Sequence, residues 1–356
     1  MITELQIQNF KGIGSCQIKD IGKVNLLIGK NDSGKSTVME AAYYLLRELQ
    51  FSPQLSETMN KRADVVSGGS QLWYKYDTDS QIMISVVLDS FRLEWKISLK
   101  TDERINDQVI TSSITGGKMR MITLGEVLYR ARDFSFVSGL VSGRGLPTMI
   151  SNSQEPPDVK EQLVQFAGAV SNIDCTLKSK VREIESILAK FKIKPVLEIK
   201  FGQILNDIYG KGEEWEFIPQ VENPNEKRLA IRETGQLKYF SGFGDGFRSC
   251  VGIIGTALAS KNTAIFMEEI ESHQHAGSMK KLIKHLVDLA RENNLQLFLS
   301  SHSKDLWESL NRGVYLNDPE KEKAEFRCFV IERDPETGKV TAERTDDVQK
   351  IDRALK

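Results

Sequence analysis

Apolar and polar positions follow different periods along the chain, and the change of period marks its elements. Over residues 1 to 50 the pattern predicts strand, strand, strand, helix. "TELQIQNF" alternates loosely at Leu5, Ile7 and Phe10, and "KVNLLIG" is a short apolar run ending in glycine. "GKSTVMEAAYYLLRELQ" then places Val38, Ala41, Ala42, Leu45, Leu46 and Leu49 on one helical stripe. "SQIMISVVLD" and "FRLEWKISL" predict strands; in the second, Phe91, Leu93, Trp95, Ile97 and Leu99 alternate with polar residues, as in an antiparallel sheet with one solvated face. "ITGGK", "VSGRGLP" and "SNSQEPPD" are turn-rich breaks. Residues 158 to 192 predict helix, with Leu177, Val181, Ile184, Ile187 and Leu188 on one face, too short for a long coiled-coil arm. "EWEFIPQ" and "RLAIRETG" return to strand.

From residue 240 the pattern alternates. "DGFRSCVGIIGTALAS" predicts a helix, "TAIFME" a buried strand, "MKKLIKHLVDLAREN" a helix, "LQLFLSS" a strand, "KDLWESLN" a helix, and the tail a hairpin across "PETG". Strands alternating with helices imply a parallel sheet with ligand sites at the strands' C-terminal ends. The expected fold is therefore α/β, a mixed parallel core sheet with an antiparallel N-terminal sheet and a small helical lobe. The expected division is 1–150 and 240–356 as two parts of one main lobe, with 151–239 as the inserted lobe and its return strands.

Composition narrows this little. The chain has 356 residues, 40% hydrophobic and 27% charged, with a formal net charge of −1. That excludes a globally basic nucleic-acid binder but leaves room for a local basic patch. The best such patch is "KSKVREIESILAKFKIKPVLEIK", with seven Lys or Arg against three Glu; an ordinary solvated helix face accounts for it slightly better. Cys16, Cys175, Cys250 and Cys328 lie far apart with no CxxC pair, which predicts reduced, buried thiols. No charged n-region precedes an apolar run at the N-terminus, and no apolar run approaches the ~18 residues of a membrane span. A cytoplasmic protein without a membrane partner is expected.

The chemistry starts at Gly29-Lys30-Asn31-Asp32-Ser33-Gly34-Lys35-Ser36, followed by Thr37, which fits GxxxxGK[ST] at every fixed position. Glycines let backbone N–H groups curl around phosphates, and the helix that follows turns its positive end toward them. Lys35 would reach the β and γ phosphates, and the Ser36 hydroxyl would bind Mg²⁺. The motif follows an apolar strand and opens an amphipathic helix, the context that confirms it. "TAIFMEEIESHQH" runs an apolar strand into Glu268 and Glu269; because side chains alternate along a strand, one carboxylate can face a metal shell and the other a water. "LQLFLSSHSKDL" ends a second strand in Ser301 and His302, where a histidine can bond a γ-phosphate or hold the catalytic carboxylate. His273 and His275, with His285 nearby, offer metal-ligand types, but no cysteine is close. "YFSGFGDGFRS", Tyr239 to Ser249, is a glycine-rich turn opening a helix.

In this order, "IQNFKGI", "GKNDSGKST", "FSGFGDGFRS", "IFMEEIESHQH" and "LSSHS" resemble the ABC-type ATPase heads of the SMC, RecF and OLD group, closest to the compact OLD-like AAA family ATPases of bacteria and archaea. The motifs cover both ends of the chain; about residues 60 to 235 match only in general layout. The resemblance implies ATP and Mg²⁺ as cofactors and a fold of the ABC-ATPase type. It makes Gly29 to Thr37 the Walker A loop, Glu268 the Walker B carboxylate, Glu269 the general base for water and His302 the switch histidine. Ser241 to Arg248, including Gly244 and Gly246, become the signature segment that contacts the γ-phosphate held by a partner subunit. His273 and His275 fall in the loop lining the dimer interface, and Asn9, Phe10 and Lys11 in a nucleotide-edge segment. Gln154 is placed as the Mg²⁺-sensing glutamine. There are departures: Walker B normally has aspartate where Glu268 stands, and the extra methylene moves the carboxylate by roughly 1.5 Å, so slow hydrolysis is expected. Fifty-four residues follow His302, too few for the Toprim nuclease of OLD proteins.

The function expected from the resemblance is Mg-dependent ATP hydrolysis by an ATP-gated homodimer. The process it serves stays open between a double-stranded-DNA role in repair, chromosome maintenance or phage defence, and regulation of a separate effector protein without DNA. A transporter motor is disfavoured by the N-terminus and the signature.

Overall fold

The computed structural model describes residues 1–48, 72, 74–89, 91–102, 107–117, 122–130, 171–174, 195–209, 215–219, 227–233, 236–239, 242–272, 274–315 and 318–355. The chain divides into two compact units: Met1–Gly22, Leu27–Val170 and Arg327–Lys356 form the first, Lys23–Leu26 and Ser171–Phe326 the second.

The first unit is built on strands β1 (Ile2–Phe10), β2 (Ile13–Lys19), β4 (Ile82–Leu88), β5 (Phe91–Asp102), β6 (Asp107–Gly117) and β7 (Ile122–Arg130), closed by β14 (from Phe326 to Arg333) and β15 (Lys339–Arg344). They lie in the order β7-β6-β5-β4-β1-β2-β15-β14. From β7 to β2 every pair is antiparallel; β15 joins β2 in parallel, pairing Lys339 with Ser15 and Val340 with Cys16. Alternation governs β5 as expected: Phe91, Leu93, Trp95 and Ile97 are buried while Arg92 is exposed. Trp95 is fully buried, and its Nε1–H donates to Ser112 Oγ on β6 at 2.7 Å, so the one polar atom of the indole is satisfied. Helix α1 (Lys35–Glu48) buries Val38, Ala41, Ala42, Leu45 and Leu46. β14 and β15 form the hairpin across "PETG".

In the second unit, Lys23–Leu26 belongs to strand β3 (Val24–Ile28), whose C-terminal residues lead into the first unit. It lies beside β13 (Gln296–Ser301), followed by β12 (Ala264–Glu268) and β8 (Ser171–Asp174). β12 is parallel to both neighbours and entirely buried. Asn25, fully buried, donates its side-chain N–H to the Leu297 carbonyl at 3.0 Å. Phe266 stacks on Phe298 with centroids 4.7 Å apart. Helices α2 (Pro195–Tyr209), α3 (Asp245–Ala259), α4 (Ala276–Glu292), α5 (Lys304–Val314) and α6 (Pro319–Glu325) belong here, with a three-stranded antiparallel sheet of β9 (Trp215–Pro219), β10 (Lys227–Glu233) and β11 (Gln236–Tyr239). Helix α7 (Val348–Ala354) ends the first unit.

Two expectations are corrected. Ile114–Gly117 of "ITGGK", expected as a turn-rich break, is the paired end of β6. Within residues 158 to 192, Ser171–Asp174 is a strand, paired in parallel with β12 from Ile265↔Ser171 to Glu268↔Asp174. Four residues are too few for period 2 to emerge from a helical background, and it is the neighbouring strand that sets the conformation. The apolar face Leu177, Val181, Ile184, Ile187 and Leu188 lies outside the described residues. Cys16, Cys250 and Cys328 are buried free thiols, and burial pushes those of Cys16 and Cys250 up to about 12. Both are neutral thiols at pH 7. Among the described residues no helix is long and apolar enough to cross a membrane.

Candidate active site

The first unit carries the phosphate loop between β3 and α1. Gly29 has φ +156°, and a Cβ there would stand 2.3 Å from the Ile331 carbonyl oxygen of β14 and 2.9 Å from Ser33 Oγ. Gly34, at φ +96°, lies where an L side chain is strained. Asp32 is left-handed too, with φ +62°. Its carboxylate is held by Arg333 of β14, whose Nη1 lies 3.2 Å from both oxygens. Glycine would adopt that backbone more cheaply, so the aspartate gains from its pairing. Lys35 is buried with its ammonium turned into the loop: Nζ donates to the carbonyls of Gly29 and Lys30, both at 2.9 Å. A cation stands at the centre of the loop, as phosphate recognition needs. Lys30, Asn31 and Asp32 are exposed, Ser36 and Thr37 half-buried. Phe10 turns its ring into the core against the edge of Tyr44, leaving Lys11 as the more accessible residue of that segment. The Lys11 ammonium pairs with Glu40 at 2.7 Å and lies over the Tyr44 ring. We expect Gly29→Ala to force the loop off β14, lower thermal stability and weaken ATP binding more than tenfold, since strain of this kind costs about 1–3 kcal/mol even before the clash is relieved; calorimetry with ATP and a melting curve check it.

The second unit carries the carboxylates, the histidine and the glycine-opened helix. Glu268 closes β12 and is buried. Glu269 has left the strand with φ +48°, a rare conformation for a non-glycine residue and one that marks functional turns. Strand alternation is thus not what separates the two carboxylates; the left-handed turn is. Glu269 is half-exposed, and its Oε1 stands 3.8 Å from His302 Nε2. Its backbone N–H donates to Ser300 Oγ at 3.2 Å, and Ser272 Oγ donates to its Oε2 at 3.4 Å. Helix α3 starts at Gly244, its N-cap. Gly242 and Gly244 are exposed, and the space a Gly244 Cβ would take is open; the first amides of a helix have no carbonyl partner within it. The Phe243 and Phe247 rings lie 4.7 Å apart, tilted by 39°, and Tyr209 packs edge-on to Phe247 at 5.0 Å. The Gly246 carbonyl accepts from Gln274 Nε2 at 2.6 Å and from the Tyr209 hydroxyl at 3.4 Å. His285 bonds Asp207 at 2.7 Å and so belongs to the α2–α4 contact; this bond holds the Asp207 carboxyl below the usual range.

Comparison with known proteins decides the family. The profile described as an AAA ATPase domain matches residues 1–194, more than half of the chain. The chain belongs to this AAA ATPase family. A second AAA-domain profile, whose description refers to the AbiEii toxin of a type IV TA system, matches residues 158–306. An ATP/GTP phosphatase of Helicobacter pylori is 24% identical over 343 residues, 89% of this chain and 90% of that protein. The DNA replication and repair protein RecF of Francisella tularensis subsp. novicida is 36% identical over 64 residues, 18% of each chain. In fold, this AAA ATPase is similar to an Smc head solved with the C-terminal winged-helix domain of ScpA (TM-score 0.55, 13% identity, 99% of both chains). It is also similar to an Smc head with an extended coiled coil bound to the C-terminal domain of ScpA, from Pyrococcus furiosus (TM-score 0.52, 11% identity, 99% and 98% covered). The expected ATPase and an α/β fold like that of an Smc head are what these matches show.

Within this AAA ATPase the structure brings Glu269 and His302 together, each just past the end of its strand, with Glu268 the last residue of β12. Gln154, Ser241 and His273 lie outside the described residues. His275 is the exposed N-cap of α4. Sequence reasoning missed Glu271, Gln274 and Arg333. The first two left a trace in the run "EEIESHQ", where the acidic residues outnumber what one metal shell and one base require. Arg333 left none, because it is 301 positions from Asp32.

Proposed function

We propose that this ATPase, of the compact OLD-like kind, is a Mg-dependent ATP hydrolase that works as an ATP-gated head-to-head dimer associated with duplex DNA. The observation that carries the reading is the left-handed Glu269 beside His302, on a turn that also reaches the glycine-opened start of α3 through Gln274. A base and a lid for phosphate built on one unit suit a nucleotide shared between two copies.

The chemistry then follows from the chain's own residues. The loop amides and Lys35 hold the β and γ phosphates. Glu269 orients a water and takes its proton as the water oxygen attacks the γ-phosphorus and the bond to the ADP oxygen breaks. His302 holds the Glu269 carboxylate in place. By donor chemistry the Ser36 hydroxyl of the first unit and the buried Glu268 carboxylate of the second each suit a hard divalent cation. Mg²⁺, when bound, neutralises charge on the phosphates. The partner's signature segment, Ser241 to Arg248, closes on the γ-phosphate, so hydrolysis releases the two copies.

The DNA association is supported by the chain's partial similarity to RecF. The test is ATP hydrolysis with and without duplex DNA at rising salt. Stimulation by DNA, with binding that falls steeply as salt rises, is expected. Turnover and oligomeric state that ignore DNA would overturn this part of the reading and point to a protein effector.

A further inference from the structure

We propose that Glu271 is a positioning residue that sets the spacing of Glu269 and His302; this rests on the catalytic reading of that pair. Strands β12 and β13 pair in parallel up to Met267↔Leu299. Beyond that point the chains diverge, the left-handed Glu269 turning one away and Ser303 capping α5 on the other. The ladder that held the strands in register has ended, yet the two catalytic side chains stand just past its end.

Side chains take over the missing hydrogen bonds. Glu271 Oε1 accepts from the His302 backbone N–H and from Ser301 Oγ, both at 2.8 Å. It thus occupies the place a strand carbonyl would fill. Ser301 Oγ in turn accepts from the Ser303 N–H at 2.8 Å, so the start of α5 is tied to the same oxygen. On the other side, the Glu271 carbonyl accepts from the Gln274 N–H at 3.0 Å, and the Glu269 carbonyl from the Ser272 N–H at 2.8 Å, which folds the segment into a compact turn. Glu271 therefore joins the turn that carries Glu269 to the residue that carries the imidazole. Among the described residues its Oε2 is buried without a hydrogen-bond partner.

The experiment compares Glu271→Leu, Glu271→Gln and Ser301→Ala in steady-state ATP hydrolysis, with ATP binding measured separately. Leucine removes the acceptor; glutamine keeps a carbonyl oxygen for both donors. A displacement of the base by about 1 Å can cost on the order of 10²-fold in rate. Glu271→Leu should lower kcat at least tenfold with KM within about threefold, Ser301→Ala should lower it less, and Glu271→Gln should restore most of the loss. Glu271→Gln folds whenever steric fit is what matters, so it keeps the test decisive if the leucine variant is unstable. Equal loss in Glu271→Gln and Glu271→Leu, or unchanged kcat in all three, overturns the positioning role. If Glu269→Gln and His302→Ala also leave kcat unchanged, the catalytic reading itself has failed, a distinct result.

Discussion

Glu269→Gln should lower ATP turnover by about 10²- to 10⁴-fold, the range that removal of a general base costs, while ATP binding persists and a dimer accumulates. The substitution keeps size and one acceptor oxygen, so Ser272 can still donate to the side chain and the turn is preserved. What it removes is the basicity and the negative charge that faces His302 at 3.8 Å. Single-turnover kinetics separates the chemical step from binding, and sizing chromatography with ATP reports assembly. A variant that hydrolyses ATP at the wild-type rate would remove Glu269 from the mechanism. One that is inactive but stays monomeric with ATP bound would leave the base in place and discard the dimer. The left-handed φ makes a second comparison informative: Glu269→Gly should relax the backbone and be inactive, so that stability and activity move in opposite directions.

Lys35→Ala should abolish hydrolysis and weaken ATP binding by well over tenfold. Charge-assisted hydrogen bonds are worth about 1.5–3 kcal/mol each, or roughly 10- to 100-fold in affinity for every bond to phosphate that is lost. The fold contributes a second effect. The ammonium is buried and bonded to the Gly29 and Lys30 carbonyls, so alanine leaves two inward-facing acceptors without their donor. A melting curve should therefore show loss of stability in the absence of nucleotide, and calorimetry the loss of ATP heat. Lys35→Ala with unchanged ATP affinity would mean that the loop binds through its amides alone. The same preparation also guards against a contaminating ATPase in any measurement on the wild-type chain.

The elements of residues 1–48, the run α3, β12, α4, β13, α5 and the C-terminal hairpin, the phosphate loop and the strands that end at Glu268 and at Ser301, just before His302, were legible from residues close together in the chain, whereas β6, β7 and α2 were not. Hydrophobic period is a local property, and so is the glycine spacing that lets a loop approach phosphate; no tertiary contact is needed to read either. Ser171–Asp174 was not legible, because nothing in four residues distinguishes a strand from a helix when its partner, β12, lies about ninety positions away. The separation of Glu268 from Glu269 was misattributed for a related reason. Alternation predicts opposite faces for neighbours in a strand, but the strand stops one residue earlier than that argument requires.

The motif residues and the class of chemistry thus follow from short-range order along the chain: an apolar strand delivering carboxylates, another delivering a histidine, and a cradle for phosphate. Their geometry does not. Glu271 meeting His302 across 31 positions, Gln274 meeting Gly246 across 28, and Arg333 meeting Asp32 across 301 are the contacts that hold the loop, the base and the helix start. Each is a hydrogen bond or ion pair between segments that come together only when the sheet forms. Periodicity carries no information about such pairings, because a side chain's partner depends on where strands end and turn, and those ends are set by packing.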